Sequence, residues 1–189
     1  ADPLLSACNT GVNAGLVILA ADDPSMFSSQ NEQDSRNYAA FARVPMLEPA
    51  DSAEAHEFAQ RAFQISEDFD TPVMIRESMR IAHTKSLVDC SEKRVGDDLR
   101  DFTPYASKYV MMPAYARGRR QAVIERTREL VEFAEATDLN RIEMRDSSIG
   151  IIASGAVYQH VREALPQAST FKLGLSWPLP PAKLKEFAD

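Results

Sequence analysis

Residues 22–34, DDPSMFSSQNEQD, hold the densest set of groups that could do chemistry. Asp22, Asp23, Glu32 and Asp34 supply carboxylates, Ser28 and Ser29 hydroxyls, and Gln30, Asn31 and Gln33 amides. Four carboxylates could hold a hard cation such as magnesium. Their spacing matches no EF-hand loop, however, and acidic side chains are common in solvated loops, so no metal site is expected. The amides and hydroxyls suit orienting a polar ligand or closing over one. The alternative is a surface loop at a subunit contact. Ser28, Ser29, Gln30, Asn31 and Gln33 are therefore the residues that could orient such a ligand.

Arg76, Arg80 and His83 form a second candidate set. The two arginines flank the end of an apolar run and suit a ligand or an interdomain ion pair. Ser28, His83 and Asp23 could be nominated as nucleophile, base and orienter, but the chain has no G-x-S-x-G elbow. His83 could equally satisfy local backbone groups, and His56 and His160 fall on solvated helices. Arg117, Arg119 and Arg120, with Arg126 and Arg128, could bind an anionic group such as a cofactor phosphate; a charged outer helix face is the other explanation. Neither G-x-G-x-x-G nor a P-loop is present. Cys8 and Cys90 are not in a CxxC and give neither a disulfide framework nor a metal knuckle.

The polar stretch must be held by the elements around it. Residues 15–21, GLVILAA, read as a fully buried strand stopped by Asp22-Asp23-Pro24. A buried strand delivering a polar loop at its carboxyl end is where open α/β sheets place ligand sites. Upstream, 3–10 reads as the last turns of a helix capped by Gly11. Downstream come a short helix over 34–42 with Tyr38, Phe41 and Ala42 on one side, and a short strand over 44–47 whose proline marks an edge or a strand-start position. Asp51 and Glu54 form a capping signature for a helix whose Phe58, Phe63 and Ile65 face a core. Thr71-Pro72 then leads into a second core strand at 73–75. This alternation implies a largely parallel sheet with right-handed crossovers.

Residues 84–112 read as an extended connector with a short strand, followed by a long helix from Pro113 to about Ala136. A second α/β pattern then starts: strands over 141–145, 149–153 and 170–175, helices over 156–165 and 183–188, and a turn over 177–181. About 45 residues are too few to enclose a core, so the chain reads as an internal fragment. The formal charge of −7 argues against nucleic acid. No apolar run is long enough for a membrane span, and a reducing cytoplasm fits best.

The segments ADDPSMFSSQNEQDSR, VPMLEPADSAEA, FDTPVMIRESMRIAHT, KYVMMPAYARGRR and LNRIE occur in the order and spacing of one family. The chain resembles the alpha subunit of indolepyruvate:ferredoxin oxidoreductase, within the thiamine-diphosphate-dependent 2-oxoacid:ferredoxin oxidoreductases. The resemblance implies a partial doubly wound parallel sheet over 1–83, like the second half of a pyrimidine-binding domain. It implies a connector over 84–140 and, over 141–189, the start of a transketolase-carboxyl-terminal-like α/β domain. The parent enzyme would oxidatively decarboxylate arylpyruvates to acyl-coenzyme A, using thiamine diphosphate with magnesium and iron–sulfur clusters and passing electrons to ferredoxin. A beta subunit and an oligomer are implied as well.

By the same resemblance the catalytic glutamate on the aminopyrimidine lies upstream of Ala1, and no cofactor binds this stretch tightly. Asp23, Ser28, Ser29, Gln30 and Glu32 are left to face substrate, with Phe27 where the family usually has histidine. A non-catalytic assembly or ligand-binding module on the same scaffold is the alternative.

Overall fold

The computed structural model describes residues 2–90 and 101–189. It is a mixed α/β structure with two sheets. The first part runs α1 (Asp2–Thr10), β1 (Val17–Asp22), α2 (Arg36–Ala42), β2 (Met46–Leu47), α3 (Ser52–Asp68), β3 (Val73–Ser78) and α4 (Met79–His83). β1 and β2 each pair in parallel with β3, which therefore lies between them. Helices cover both faces: Cys8, Ala39 and Ala42 pack with Met46 and Met74 on one side, and Phe58, Ala62 and Ile65 pack with Val73 and Ile75 on the other.

The short helix α5 (Ala106–Tyr109) and the long α6 (Pro113–Ala136) follow. No strand occurs among the described residues of 84–112, and the rest of that expectation lies outside them. The second sheet comprises β4 (Asn140–Glu143), β5 (Asp146–Ser154) and β6 (Ala168–Leu173), with α7 (Ala156–Ala164) between β5 and β6. β5 and β6 are parallel, whereas β4 is antiparallel to β6.

Gly174 then breaks the strand expected over 170–175. A Cβ there would lie 2.4 Å from the Leu139 carbonyl oxygen and 3.0 Å from Cζ of Phe58, so the chain can turn tightly against the core at this point. Beyond it, β7 (Leu175–Trp177) crosses to the first sheet and pairs antiparallel with β2, and α8 (Pro181–Ala188) closes the chain. The Asn140 side chain secures the crossing: its Nδ2 donates to the Ala134 carbonyl at 3.1 Å and its Oδ1 accepts from the Leu175 amide at 3.0 Å. Leu139 and Leu175 thereby join the core built around Phe58.

Three burial expectations are corrected. β1 is an edge strand, so Leu16 and Leu19 are 41% and 63% exposed rather than buried. Phe63 of α3 is half exposed beside Gly15, while Phe58 and Ile65 are buried as the helical spacing predicts. α2 buries Ala39 and Ala42 and leaves Tyr38 and Phe41 outside.

Candidate functional site

Parallel strands bring their carboxyl ends to one edge of a sheet, where backbone groups past the last pairing are free to serve a ligand. Here Asp22 ends β1, Glu48 follows β2, Ser78 ends β3 and Ser154 ends β5. These ends, together with the first turn of α7, enclose a cleft of about 350 Å³, within the usual range of roughly 300–1,000 Å³ for small-molecule sites. Its wall is apolar at Pro24, Phe27, Pro49, Met79 and Val157, and charged at Glu32, Asp34, Arg36, Glu48, Arg76 and Arg80.

Glu48 organises the floor. It is fully buried and carries two guanidinium partners. Arg36 Nε donates to Oε1 at 2.7 Å and Arg36 Nη2 to Oε2 at 2.8 Å. Arg76 Nη1 donates to Oε2 at 3.0 Å, and the Ser154 hydroxyl donates to the same oxygen at 3.3 Å. Arg76 in turn donates from Nε to Asp22 Oδ2 at 2.5 Å. The Ser35 amide and hydroxyl complete the set on Asp22, at 2.9 and 2.6 Å. Charge-assisted bonds of this kind are shorter and stronger than neutral ones.

Burial pushes the Glu48 carboxyl upward, but the bonds from Arg36 and Ser176 and the nearby Arg76 charge outweigh it, leaving the pKa below its ordinary value. Asp22 is likewise pushed up by burial and held down on balance by Ser35 and Arg76. Both stay ionised, so neither is poised as a general acid. The floor fixes geometry; it does not trade protons.

The polar loop divides its labour. Asp23 Oδ2 accepts the Ser28 and Ser29 backbone amides at 2.7 and 2.8 Å, and these bonds hold its carboxyl below the ordinary range. Asp23 thus shapes the loop, and Ser28 and Ser29 serve it through their backbone. The loop turns at Ser25 and Met26, both at positive φ. Phe27, Glu32, Gln33 and Asp34 reach the cleft wall, whereas Gln30 is exposed and does not.

Arg76 and Arg80 both line the cleft, as their place after an apolar run suggests. His83 does not: it ends α4 and is exposed. No hydrogen bond joins Ser28, His83 and Asp23 side chains among the described residues, so the nucleophile–base–orienter arrangement has no structural counterpart. Of the basic cluster on α6, Arg117, Arg120 and Arg128 are exposed on the outer face, whereas Arg119 and Arg126 have a structural role. Arg126 is buried and donates to the Cys8 and Asp70 carbonyls; Arg119 donates to the Asn9 carbonyl at 2.9 Å and to Asp70 Oδ2 at 2.8 Å. Guanidinium groups on the free carbonyls at the end of α1 meet the negative end of its dipole.

No protein-family model matches the chain. Among curated proteins, the indolepyruvate oxidoreductase subunit IorA of Methanothermobacter marburgensis is 40% identical over 192 residues, covering 98% of this chain. The IorA subunit of Thermococcus kodakarensis is 38% identical over 200 residues, covering all of it. The chain belongs to the IorA family. It spans about a third of the length of these IorA relatives, 31% in each case. Among solved structures, a 2-oxoglutarate:ferredoxin oxidoreductase from Magnetococcus marinus, with 2-oxoglutarate, coenzyme A and succinyl-CoA bound, superposes with a TM-score of 0.64. At 12% identity over 98% of this chain and 41% of that one, the likeness concerns the fold.

In this IorA-family chain, Glu48, Arg36, Ser154 and His160 are among the cleft residues that sequence reasoning did not nominate. Glu48 had a usable signal: it is a carboxylate directly after a short apolar strand, much as Asp22 closes the apolar run of β1. His160 is exposed, as expected of a helical surface, yet it sits on the cleft wall.

Proposed function

We propose that this chain supplies one wall of the substrate cleft of an indolepyruvate:ferredoxin oxidoreductase. An arylpyruvate would lose carbon dioxide, its acyl group would pass to the thiol of coenzyme A, and the electron pair would leave to ferredoxin. The observation that carries this reading is the cleft itself: a carboxyl-edge site with an apolar, partly aromatic wall and guanidinium groups beside it. Aryl rings suit the former and 2-oxoacid carboxylates the latter. The IorA names of the relatives supply the substrate class.

Thiamine diphosphate with magnesium and iron–sulfur clusters would complete the enzyme, and the residues present here do not fit those groups. Among the described residues no group of three or more His, Cys, Asp and Glu side chains could hold a metal ion. Cys8 is buried, and burial pushes its thiol up to about 11; Cys90 is exposed and apart from it. Glu48 cannot serve the aminopyrimidine, because both its oxygens are engaged and it stays ionised. On this reading the cofactors would be held, and the catalytic glutamate supplied, by parts of the enzyme outside the described residues.

This chain's share is to orient and to exclude water. The Asp22–Arg76–Glu48–Arg36 row fixes the floor, and Ser154 ties the second sheet to it. The loop held by Asp23 presents Phe27, 65% exposed, to the cleft. The division into a pyrimidine-domain half over 1–83, a connector over 84–140 and a further domain over 141–189 belongs to the same proposal. So do a beta subunit, an oligomer and a cytoplasmic location. Among the described residues no helix is long and apolar enough to cross a membrane.

The test is turnover by the complete enzyme. Indolepyruvate, coenzyme A and a viologen dye together should give dye reduction and an acyl-coenzyme A product. Dye reduction that ignores the 2-oxoacid, or none at all, would refute the assignment.

A further inference from the structure

We propose that Arg80 holds the carboxylate of the incoming 2-oxoacid, a role that rests on the function proposed above. The cleft wall carries several charged side chains, but most are already committed. Arg36, Arg76, Glu48 and Asp34 are bonded to one another, with Asp22 behind them. Counted with Asp22, that row holds three carboxylates against two guanidinium groups and keeps a negative balance. A carboxylate entering the cleft would meet that negative balance, with both guanidinium groups already paired to carboxylates.

Arg80 is different. It stands on the first turn of α4, just past the carboxyl end of β3, and lines the same cleft. Among the described residues its guanidinium has no ion pair and no hydrogen bond; only its backbone carbonyl is used, by Thr84. Glu32, the other charged wall residue without an ion pair or hydrogen bond among the described residues, is a carboxylate and would repel the ligand. A planar guanidinium presents paired donors that match a carboxylate, which a lysine ammonium does not.

The first turn of α7 lines the cleft as well. Gly155, at φ +56°, leads into α7 without a side-chain cap, and Ala156 and Val157 line the cleft. The amides of that first turn add positive partial charge to the site. With the carboxylate at Arg80, the ring of an arylpyruvate is left to Phe27, Pro24 and Val157. Arg80 therefore sets which end of the substrate goes in which direction, whereas Arg76, four residues away, is already held by Asp22 and Glu48.

The experiment compares the complete enzyme with its Arg80→Met and Arg80→Lys variants. Steady-state KM and kcat for indolepyruvate are measured with two competitive inhibitors: indoleacetate, which keeps the carboxylate, and tryptophol, which lacks it. Arg80→Met should raise KM and weaken indoleacetate by about 10–100-fold while moving tryptophol by less than about twofold. Arg80→Lys should recover part of the loss. Should Arg80→Met fail to fold, the same acid-against-alcohol split in Arg80→Lys decides the question. Unchanged KM in an active enzyme, or equal losses for both inhibitors, overturns the carboxylate role alone. A wild-type enzyme that turns over no arylpyruvate overturns the proposed function and this role together.

Discussion

Glu48→Ala destabilises the protein by about 3–5 kcal/mol, the cost of leaving a buried charge without its partner. The side chain is 1% exposed and holds Arg76, itself 8% exposed, together with Arg36. Removing it strands the Arg76 guanidinium with Asp22 as its remaining close partner and takes away the acceptor of the Ser154 hydroxyl. Arg36 is 43% exposed and can turn to water, so most of the loss belongs to Arg76. For a chain of this length the melting temperature should fall by on the order of 10 °C. Differential scanning calorimetry checks it, and a shift of only a degree or two would contradict the account.

The same carboxylate gives the stability a pH dependence. The folded pKa values of Glu48 and Asp22 lie below their ordinary ones. Their contribution is therefore fully present above the unfolded values of about 4, and is lost as pH falls through the folded values. Urea midpoints should drop below about pH 4, and Glu48→Gln should drop less steeply than wild type.

The second large effect is asymmetric. Lys172 on β6 is fully buried, and Glu54 is its ion-pair partner, across the boundary between the two sheets. Phe58 and Tyr158 face the ammonium with ring centres 5.0 and 5.7 Å away. Burial depresses the Lys172 pKa more than Glu54 restores it. Glu54→Ala leaves that ammonium uncompensated and removes the acceptor of the Ala50 amide, for about 3–5 kcal/mol. Lys172→Met substitutes an apolar chain of similar length, and Glu54 keeps Arg141 at 3.0 Å and the Ala50 amide. It should cost under about 1.5 kcal/mol. Chemical denaturation of the two variants checks the order; equal losses would show that the pair is not limited by its buried cation.

Much of the scaffold was legible because local rules and tertiary structure agree. Asp51 caps α3 by accepting the Glu54 amide at 2.9 Å, and Pro113 opens α6 where its missing N–H costs nothing. The polar loop does stand at the carboxyl end of β1. What escaped depends on partners distant in sequence. Periodicity placed the α6 arginines outward, but Arg126 is buried because α1 ends in carbonyls that need donors. Leu175 continues a strand by composition, yet Gly174 lets the chain change sheets. Glu48 was passed over because its two arginines come from elements 12 and 28 residues away.

Filling the cleft without touching its charges is the most direct trial of the whole account. Val157 is 57% exposed on the cleft wall, so Val157→Trp adds bulk where the substrate ring would lie while disturbing little of the core. In the complete enzyme, dye reduction with indolepyruvate should then need at least about tenfold more substrate or stop altogether. KM and kcat equal to wild type, with a tryptophan standing in the cleft, would show that the 2-oxoacid binds elsewhere.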